Sequence, residues 1–257
     1  MFKYTAGFIG AGNMGGALLG AIATQTRSLA VYDKDKAKAA RADAAVVSPE
    51  EMAKTCRFLF LGVKPGVLPQ VTSKIGGHLS NDTVVVSMAA GVKLPVLCSS
   101  LGTNKVIRIM PNTPAAVGAG MTLYSLASGV TSLEEKEFLK LMRPTGLVDK
   151  IDEDLMDAGM AVSGCGPAYV YIFCEALADG AVKCGLPRDK ALTYAMQTIL
   201  GSAEMLLQSG KHPGELKDAV GSPGGTTIEG VLALEDAGFR AAAAKAVTAA
   251  YDKVAKK

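Results

Sequence analysis

The residues of this 257-residue chain best suited to chemistry form two glycine-rich clusters, one near each end. Near the start, Gly10-Ala11-Gly12-Asn13-Met14-Gly15 follows an apolar run and precedes the small-residue run Gly16 to Ala23. Glycines at the first and third positions let a backbone turn tightly and approach a pyrophosphate. The glycine at the sixth lets the next helix pack on the strand, and that helix's amino end favours an anion. The spacing serves dinucleotide binding. Asp33 lies 21 residues past Gly12, where a carboxylate can accept from the adenosine ribose hydroxyls of NAD(H) and repels a 2′-phosphate. Lys34, Lys36 and Lys38 follow at once and can attract that phosphate, so these residues leave both NADH and NADPH open.

The second cluster is Ser222-Pro223-Gly224-Gly225-Thr226-Thr227. Two glycines bare backbone N–H groups, two threonines add hydroxyls, and the run Ile228 to Leu234 reads as helix, so donors and the positive end of a helix dipole converge. On the residues alone this is either a glycine-rich turn between helices or a seat for a carboxylate.

Such clusters act only where strands and helices hold them. Up to about residue 151, short β-rich runs alternate with helix-like segments, the pattern of a parallel sheet covered by helices. The runs are Ala6 to Gly10, Leu29 to Asp33, Ala44 to Val47, Phe58 to Val63, Val84 to Met88, Val106 to Met110, Met121 to Leu126 and Leu147 to Ile151. Ser48-Pro49-Glu50-Glu51 opens a helix with a capping hydroxyl, a first-turn proline and a glutamate three residues on, and Ser132 with Glu135 predicts a second such box. Val63-Lys64-Pro65, Ala89-Ala90 and Pro111-Asn112 each begin where a parallel strand should end, the edge at which open α/β sheets bind ligands. We expect them to face the cofactor's ribose and nicotinamide.

Beyond about residue 152 strand signals vanish, and Ala, Leu and Met dominate between turns at Gly185-Leu186-Pro187, Gly210 to Pro213, Ser222 to Gly225 and Gly238. The expected fold is α/β: a Rossmann-type parallel-sheet nucleotide-binding domain over residues 1–152, then an all-helical domain over residues 153–257. Ala168 to Ala176, AYVYIFCEA, is apolar nearly all round, so we expect a homodimer whose helices interlock.

Composition removes other classes. A formal charge of +3 with no long block of one sign gives no footing to nucleic acid or an acidic membrane. Only His78 and His212 are present, and Cys56, Cys98, Cys165, Cys174 and Cys184 form no C-x-x-C pair. Neither a metal site, nor a Ser-His-Asp triad, nor a disulfide framework is expected, and a cytoplasmic setting fits. The apolar stretch from residue 7 to residue 23 is too glycine-rich for a leader, and no other run is expected to reach the ~20 apolar residues of a membrane span.

Several blocks gain meaning together: Gly7-Phe8-Ile9-Gly10-Ala11-Gly12-Asn13-Met14, Val63-Lys64-Pro65, Ser87-Met88-Ala89-Ala90-Gly91-Val92, Met110-Pro111-Asn112-Thr113-Pro114, Ser163-Gly164-Cys165-Gly166-Pro167-Ala168-Tyr169 and Gly221-Ser222-Pro223-Gly224-Gly225-Thr226-Thr227. In this order, over nearly the whole chain, the sequence resembles the Δ1-pyrroline-5-carboxylate reductases. The resemblance implies hydride reduction of a small cyclic imine, Δ1-pyrroline-5-carboxylate, to L-proline, the last step of proline biosynthesis, with NADPH or NADH. It implies that the last block meets substrate and that Thr227, the catalytic residue, hydrogen-bonds the ring nitrogen. On the donor argument above we assign Ser222, Gly224, Gly225 and Thr226 to the carboxylate. A homodimer is implied, with a ring of dimers left open.

The chain departs from that pattern in places. Cys165 stands where most such enzymes carry serine, and Asp33 where many carry a small or hydroxyl residue and favour NADPH. An asparagine usual near Ser48-Pro49 is missing. The nearest rival class, the β-hydroxyacid dehydrogenases, needs a lysine acid on the first long interdomain helix. Lys183 falls too far along that helix for the role.

Overall fold

Strand runs such as Cys56–Leu61, reading C-R-F-L-F-L, and Val84–Ser87, reading V-V-V-S, are apolar at consecutive rather than alternate positions. That pattern suits strands covered on both faces. In the computed structural model, which describes residues 2–40 and 42–255, one face buries Phe8, Phe60, Val84, Val86, Ile107 and Ile109. The other buries Ile9, Leu59, Leu61, Val85 and Val106. Phe8 and Phe60 stack with centroids 4.5 Å apart.

The chain forms two compact units, Met1–Cys165 with Tyr251–Lys257, and Gly166–Ala250. The first holds β1 (Tyr4–Ile9), α1 (Asn13–Ala23), β2 (Leu29–Tyr32), α2 (Lys36–Ala40), β3 (Ala45–Val46), α3 (Pro49–Thr55), β4 (Cys56–Leu61), α4 (Leu68–Ile75), β5 (Val84–Ser87), α5 (Leu94–Leu101), β6 (Val106–Met110), β7 (Gly120–Leu126), α6 (Ser132–Met142), β8 (Gly146–Lys150) and α7 (Met156–Ser163). All eight strands join one sheet in the order β3-β2-β1-β4-β5-β6-β7-β8. The chain therefore runs outward from β1 through β3, then returns to β4 on the other side of β1. The crevice between β1 and β4 is the switch point at which such sheets bind ligands.

Every expected strand is present, but the sheet is not wholly parallel: β7 pairs antiparallel with β6, and β8 runs parallel to β7. The link from Met110 to Gly120 holds only a short 3-10 turn, Thr113–Val117. A parallel crossover needs about a dozen residues or more, usually with a helix, so the strand must reverse.

Ser48 caps α3 as expected, accepting from the Glu51 N–H. The second capping box lies one residue earlier than its expected place, on Thr131 with Glu134 rather than Ser132 with Glu135. The neighbours decide it. In this register Glu134 turns inward to Lys105 and Arg57, while Glu135 accepts from the Tyr124 hydroxyl at 2.8 Å and Lys150 at 3.0 Å.

The second unit is helical: α8 (Gly166–Lys183), α9 (Arg188–Ser209), α10 (Pro213–Val220), α11 (Thr226–Asp236) and α12 (Phe239–Ala255), whose last residues belong to the first unit. Helices α8 and α9 meet through Ala178, Ala191 and Ala195, small residues that let helices approach closely. Positive-φ glycines Gly185, Gly210, Gly224 and Gly238 fall at the four expected turns. Large apolar side chains stay exposed, among them Tyr171, Ile172 and Leu207 at 62%, 67% and 83%. Within Glu153–Lys183 an 18-residue window reaches mean hydropathy 1.2, by length and composition alone enough to cross a membrane, a test that the core helix of a soluble protein also passes. This corrects the expectation that no such run would occur: the acidic residues that mask it in the sequence cluster toward its ends.

At the amino ends of β4 and β6, Glu134 is 3% exposed. Burial alone would raise its pKa, but hydrogen bonds from Lys105 and from the Thr131 N–H and hydroxyl prevail and hold it at about 2, below its ordinary 4.5. A depressed carboxylate contributes stability above its unfolded pKa and loses it as pH falls through the folded one. We expect Glu134→Gln to lose roughly 2–3 kcal/mol near neutral pH. The deficit should shrink as pH drops below 4.5 and vanish near pH 2, read by urea unfolding across that range. A pH-independent deficit would contradict the assignment.

Candidate active site

Directly after β1, Gly10 takes φ 101°, a backbone conformation glycine adopts without strain. Its N–H donates to the Tyr32 carbonyl at 2.7 Å, tying the turn to the end of β2. A Cβ on Gly15 would lie 2.0 Å from the Gly10 carbonyl oxygen, and one on Gly62, just past β4, 2.8 Å from the same atom. The turns after β1 and β4 therefore touch backbone to backbone. Gly62 was not singled out by the sequence reading; its signal is a glycine set directly after the apolar run F-L-F-L.

Helix α1 begins at Asn13 behind Gly12, which offers no side-chain cap, and its first turn carries no acidic residue. Its leading N–H groups stay open, and a side chain at position 12 would meet nothing within 4 Å. This is a seat for an anion on a helix amino end. Asn13 is exposed and Met14 half-buried beside it.

Asp33 follows β2 at the same edge. Its Oδ2 accepts the Ala11 N–H at 2.7 Å and its Oδ1 the Asp35 N–H at 2.8 Å. Lys34 is exposed. Val63, Lys64 and Pro65 follow β4; Ala89 and Ala90 follow β5, Ala89 being buried; and Pro111 and Asn112 follow β6. These four strands and β1 are mutually parallel, so the structure gathers all the expected cofactor residues along one edge. A cavity of about 680 Å³ starts at Ala11, Gly12 and Asn13 but runs along the flank of α1 to Arg27 and Lys38. Only its mouth meets the edge where the donors converge, so the edge rather than the cavity marks the site.

Asn112 is 8% exposed and its side chain is committed: Oδ1 accepts the Met121 N–H at 2.9 Å, and Nδ2 donates to the Ser163 carbonyl at 3.0 Å. Four residues earlier, within β6, Arg108, 1% exposed, reaches Glu153 at 3.1 Å and Asp157 at 3.2 Å. Glu153 also accepts the Leu94 N–H at 2.6 Å, capping α5 from outside. Strand β6 thus grips α7 near its start and at its end. Arg108 too was missed, although an arginine inside V-I-R-I-M was the available signal.

In the second unit, the Gly225 N–H bonds the Ser222 carbonyl at 3.0 Å, and Gly224 takes φ 66°. A Cβ on Gly225 would lie 2.2 Å from the Ser222 hydroxyl oxygen, so a side chain there would have to turn that hydroxyl away. Helix α11 starts at Thr226 with Gly225 as an N-cap that has no side-chain bond, leaving the N–H groups of Thr226, Thr227 and Ile228 without helical partners. Thr227 is half-buried beside exposed Ser222, Gly224 and Thr226. Cys165 lies between α7 and α8, and Lys183 is exposed at the end of α8.

A switch-point crevice, a glycine turn feeding an open helix end, and an acid after the second strand define a Rossmann-type dinucleotide-binding protein, here with an added helical unit. Residues 5–91 match the family described as NADP oxidoreductase coenzyme F420-dependent, and residues 153–257 that described as pyrroline-5-carboxylate reductase dimerisation. The chain is 44% identical to the pyrroline-5-carboxylate reductase of Escherichia coli (strain K12) over 257 residues, 96% of each protein. It is 42% identical to that of Pisum sativum over 96% of this chain and 94% of the other. The crystal structure of Plasmodium falciparum pyrroline carboxylate reductase with NADP bound superposes with TM-score 0.90 at 34% identity, covering 99% of this chain and 98% of that one. The chain belongs to the pyrroline-5-carboxylate reductase family.

The glycine contact is testable. In Gly62→Ala the new Cβ must push the Gly10 carbonyl away, a strain of about 1–3 kcal/mol that tilts the open end of α1. We expect a lower melting temperature and at least about tenfold weaker dinucleotide binding by calorimetry. Unchanged affinity would show that the turn does not govern the site.

Proposed function

We propose that this chain reduces Δ1-pyrroline-5-carboxylate to L-proline with NADPH or NADH, the final step of proline biosynthesis, and that it works in the cytoplasm. The observation that carries the reading is the amino end of α11, where a glycine N-cap leaves main-chain donors open in a form suited to the carboxylate of this imino acid. We assign that carboxylate to Ser222, Gly224, Gly225 and Thr226, and the ring nitrogen to Thr227. The cofactor's pyrophosphate goes to Gly10, Gly12, Asn13, Met14 and Gly15, and its adenosine ribose to Asp33 and Lys34. Val63, Lys64, Pro65, Ala89, Ala90, Pro111 and Asn112 border the nicotinamide and its ribose. In this division residues 1–152 serve the cofactor, and residues 153–257 serve the substrate and the dimer.

Bound there, the reduced nicotinamide supplies a hydride for the imine carbon. A protonated imine is already a good acceptor, so the chain's main task is to hold the reactants in register, which by itself can lower the barrier by several kcal/mol. Thr227 donates its hydroxyl to, or accepts from, the ring nitrogen and so orients the ring. A hydroxyl is a poor acid, so the proton arrives on the iminium or from water. No histidine is needed, and the imidazole of His212 is occupied in capping α10.

The test is oxidation of NADPH and NADH with the imine as acceptor and proline as product. Binding of cofactor without turnover of any cyclic imine would overturn the reading. In Thr227→Ala, losing one hydrogen bond to a charged or charge-changing group should cost roughly 1.5–3 kcal/mol, a fall in kcat/KM of about ten- to somewhat over a hundredfold. Wild-type rates in that variant would refute its role.

We also propose a homodimer through the helical unit, with a ring of dimers as its higher form. The exposed Tyr171, Ile172 and Leu207 need cover, and a second copy of a dimerisation-family segment supplies it, which also accounts for the apolar Glu153–Lys183 stretch. Sedimentation at micromolar concentration should show no monomer; a monomeric profile would sink the proposal.

A further inference from the structure

The corner that receives the adenosine ribose decides between the two nicotinamide cofactors, and its wiring is asymmetric. Both oxygens of Asp33 are held by the main chain, Oδ2 by the Ala11 N–H at 2.7 Å and Oδ1 by the Asp35 N–H at 2.8 Å. One donor belongs to the glycine turn and the other to the start of the next helix, so the carboxylate is fixed beside the open end of α1. Each oxygen keeps acceptor capacity for a further donor. Ribose 2′- and 3′-hydroxyls are donors and complete that pattern. A 2′-phosphate is an acceptor with negative charge. It finds a carboxylate at the corner, and it finds the two N–H groups that could have cradled it already engaged.

Among the described residues, the opposing charges are less well placed. Lys34, Lys36 and Lys38 are exposed. The Lys38 ammonium lies 3.9 Å from the Asp35 carboxylate, and Arg27 is paired with Asp43. Ammonium groups in open solvent are screened and contribute little to holding a phosphate. We propose that Asp33 is the specificity-determining residue and that it makes this enzyme prefer NADH over NADPH, against the NADPH preference that the family resemblance leads one to expect. The activity arm of its test rests on the reductase reading; the binding arm does not.

Calorimetric titration of the full chain with NADH and with NADPH, without imine, should give at least about tenfold tighter binding of NADH. The same ratio should appear in kcat/KM with the imine. Asp33→Ser removes the carboxylate and frees the Ala11 and Asp35 N–H groups, so NADPH should gain and NADH lose affinity, together reversing the ratio. Lys36→Ala should move it by less than about threefold. Tighter NADPH binding by the wild type, or an unaltered ratio in an Asp33→Ser protein of unaltered melting temperature, would overturn the proposal. NADH preference in calorimetry with no turnover of the imine would instead overturn the reductase reading and leave this inference standing.

Discussion

Two parallel strands can feed their turns into one crevice only if the turns pass each other without side chains. Gly10, Gly15 and Gly62 meet that demand: a Cβ on either of the last two would press within 2.8 Å or less of the Gly10 carbonyl oxygen. The contact is steric, not attractive, and it sets the position of everything at the carboxyl edge. It brings α1 up against the end of β1, so that its open N–H groups face the crevice. It also holds the Ala11 N–H where Asp33, at the end of β2, can reach it. The open end of α1 and the fixed carboxylate of Asp33 are thus two consequences of one backbone packing.

A second bracket works by charge. Arg108 is enclosed at the centre of β6, with its Nε lacking a partner among the described residues, which is a poor way to gain net stability. Desolvating a guanidinium and two carboxylates offsets most of their attraction, and an apolar substitute of similar shape is often as stable. What the arrangement supplies is direction. Glu153 and Asp157 can satisfy Arg108 in few geometries, and Asn112 fixes the Ser163 carbonyl at the far end of the same helix. With both ends tied to one strand, α7 has little freedom to slide or turn.

Much of this was legible in the sequence because it depends on local rules. The glycine turn, the Ser48 cap and the four turns between helices of the second unit follow from glycine, proline and hydroxyl residues acting on their immediate neighbours. Several of the misses depend on more than a residue's immediate neighbours. The reversal of β7 follows from a link too short for a crossover, and the cap moves to Thr131 because Glu134 finds Lys105 and Arg57 across the sheet. Gly62 matters only because β4 lies beside β1. Asn112 stands at the expected edge, and the sequence did not show that its side chain is held there by Met121 and Ser163. A pattern along the chain cannot show which remote group a buried amide will choose.

The helix starts differ in how their amino ends are closed. Helices α3, α6 and α10 close their amino ends with Ser48, Thr131 and His212, and α5 borrows the carboxylate of Glu153. Helices α1 and α11 begin behind glycines that bond nothing through a side chain. An open amino end forgoes about 1 kcal/mol of capping stability, and such a cost is retained where an external anion can take the cap's place. Helices α4, α7 and α9 also lack a side-chain cap, but the two that begin behind glycines, α1 and α11, match the two anionic groups of the proposed reaction, the cofactor pyrophosphate and the imine carboxylate. With no acid or base of unusual strength required, a chain with two histidines can run the reaction by placing main-chain donors, and the glycines that look like mere turns are the residues that leave those donors free.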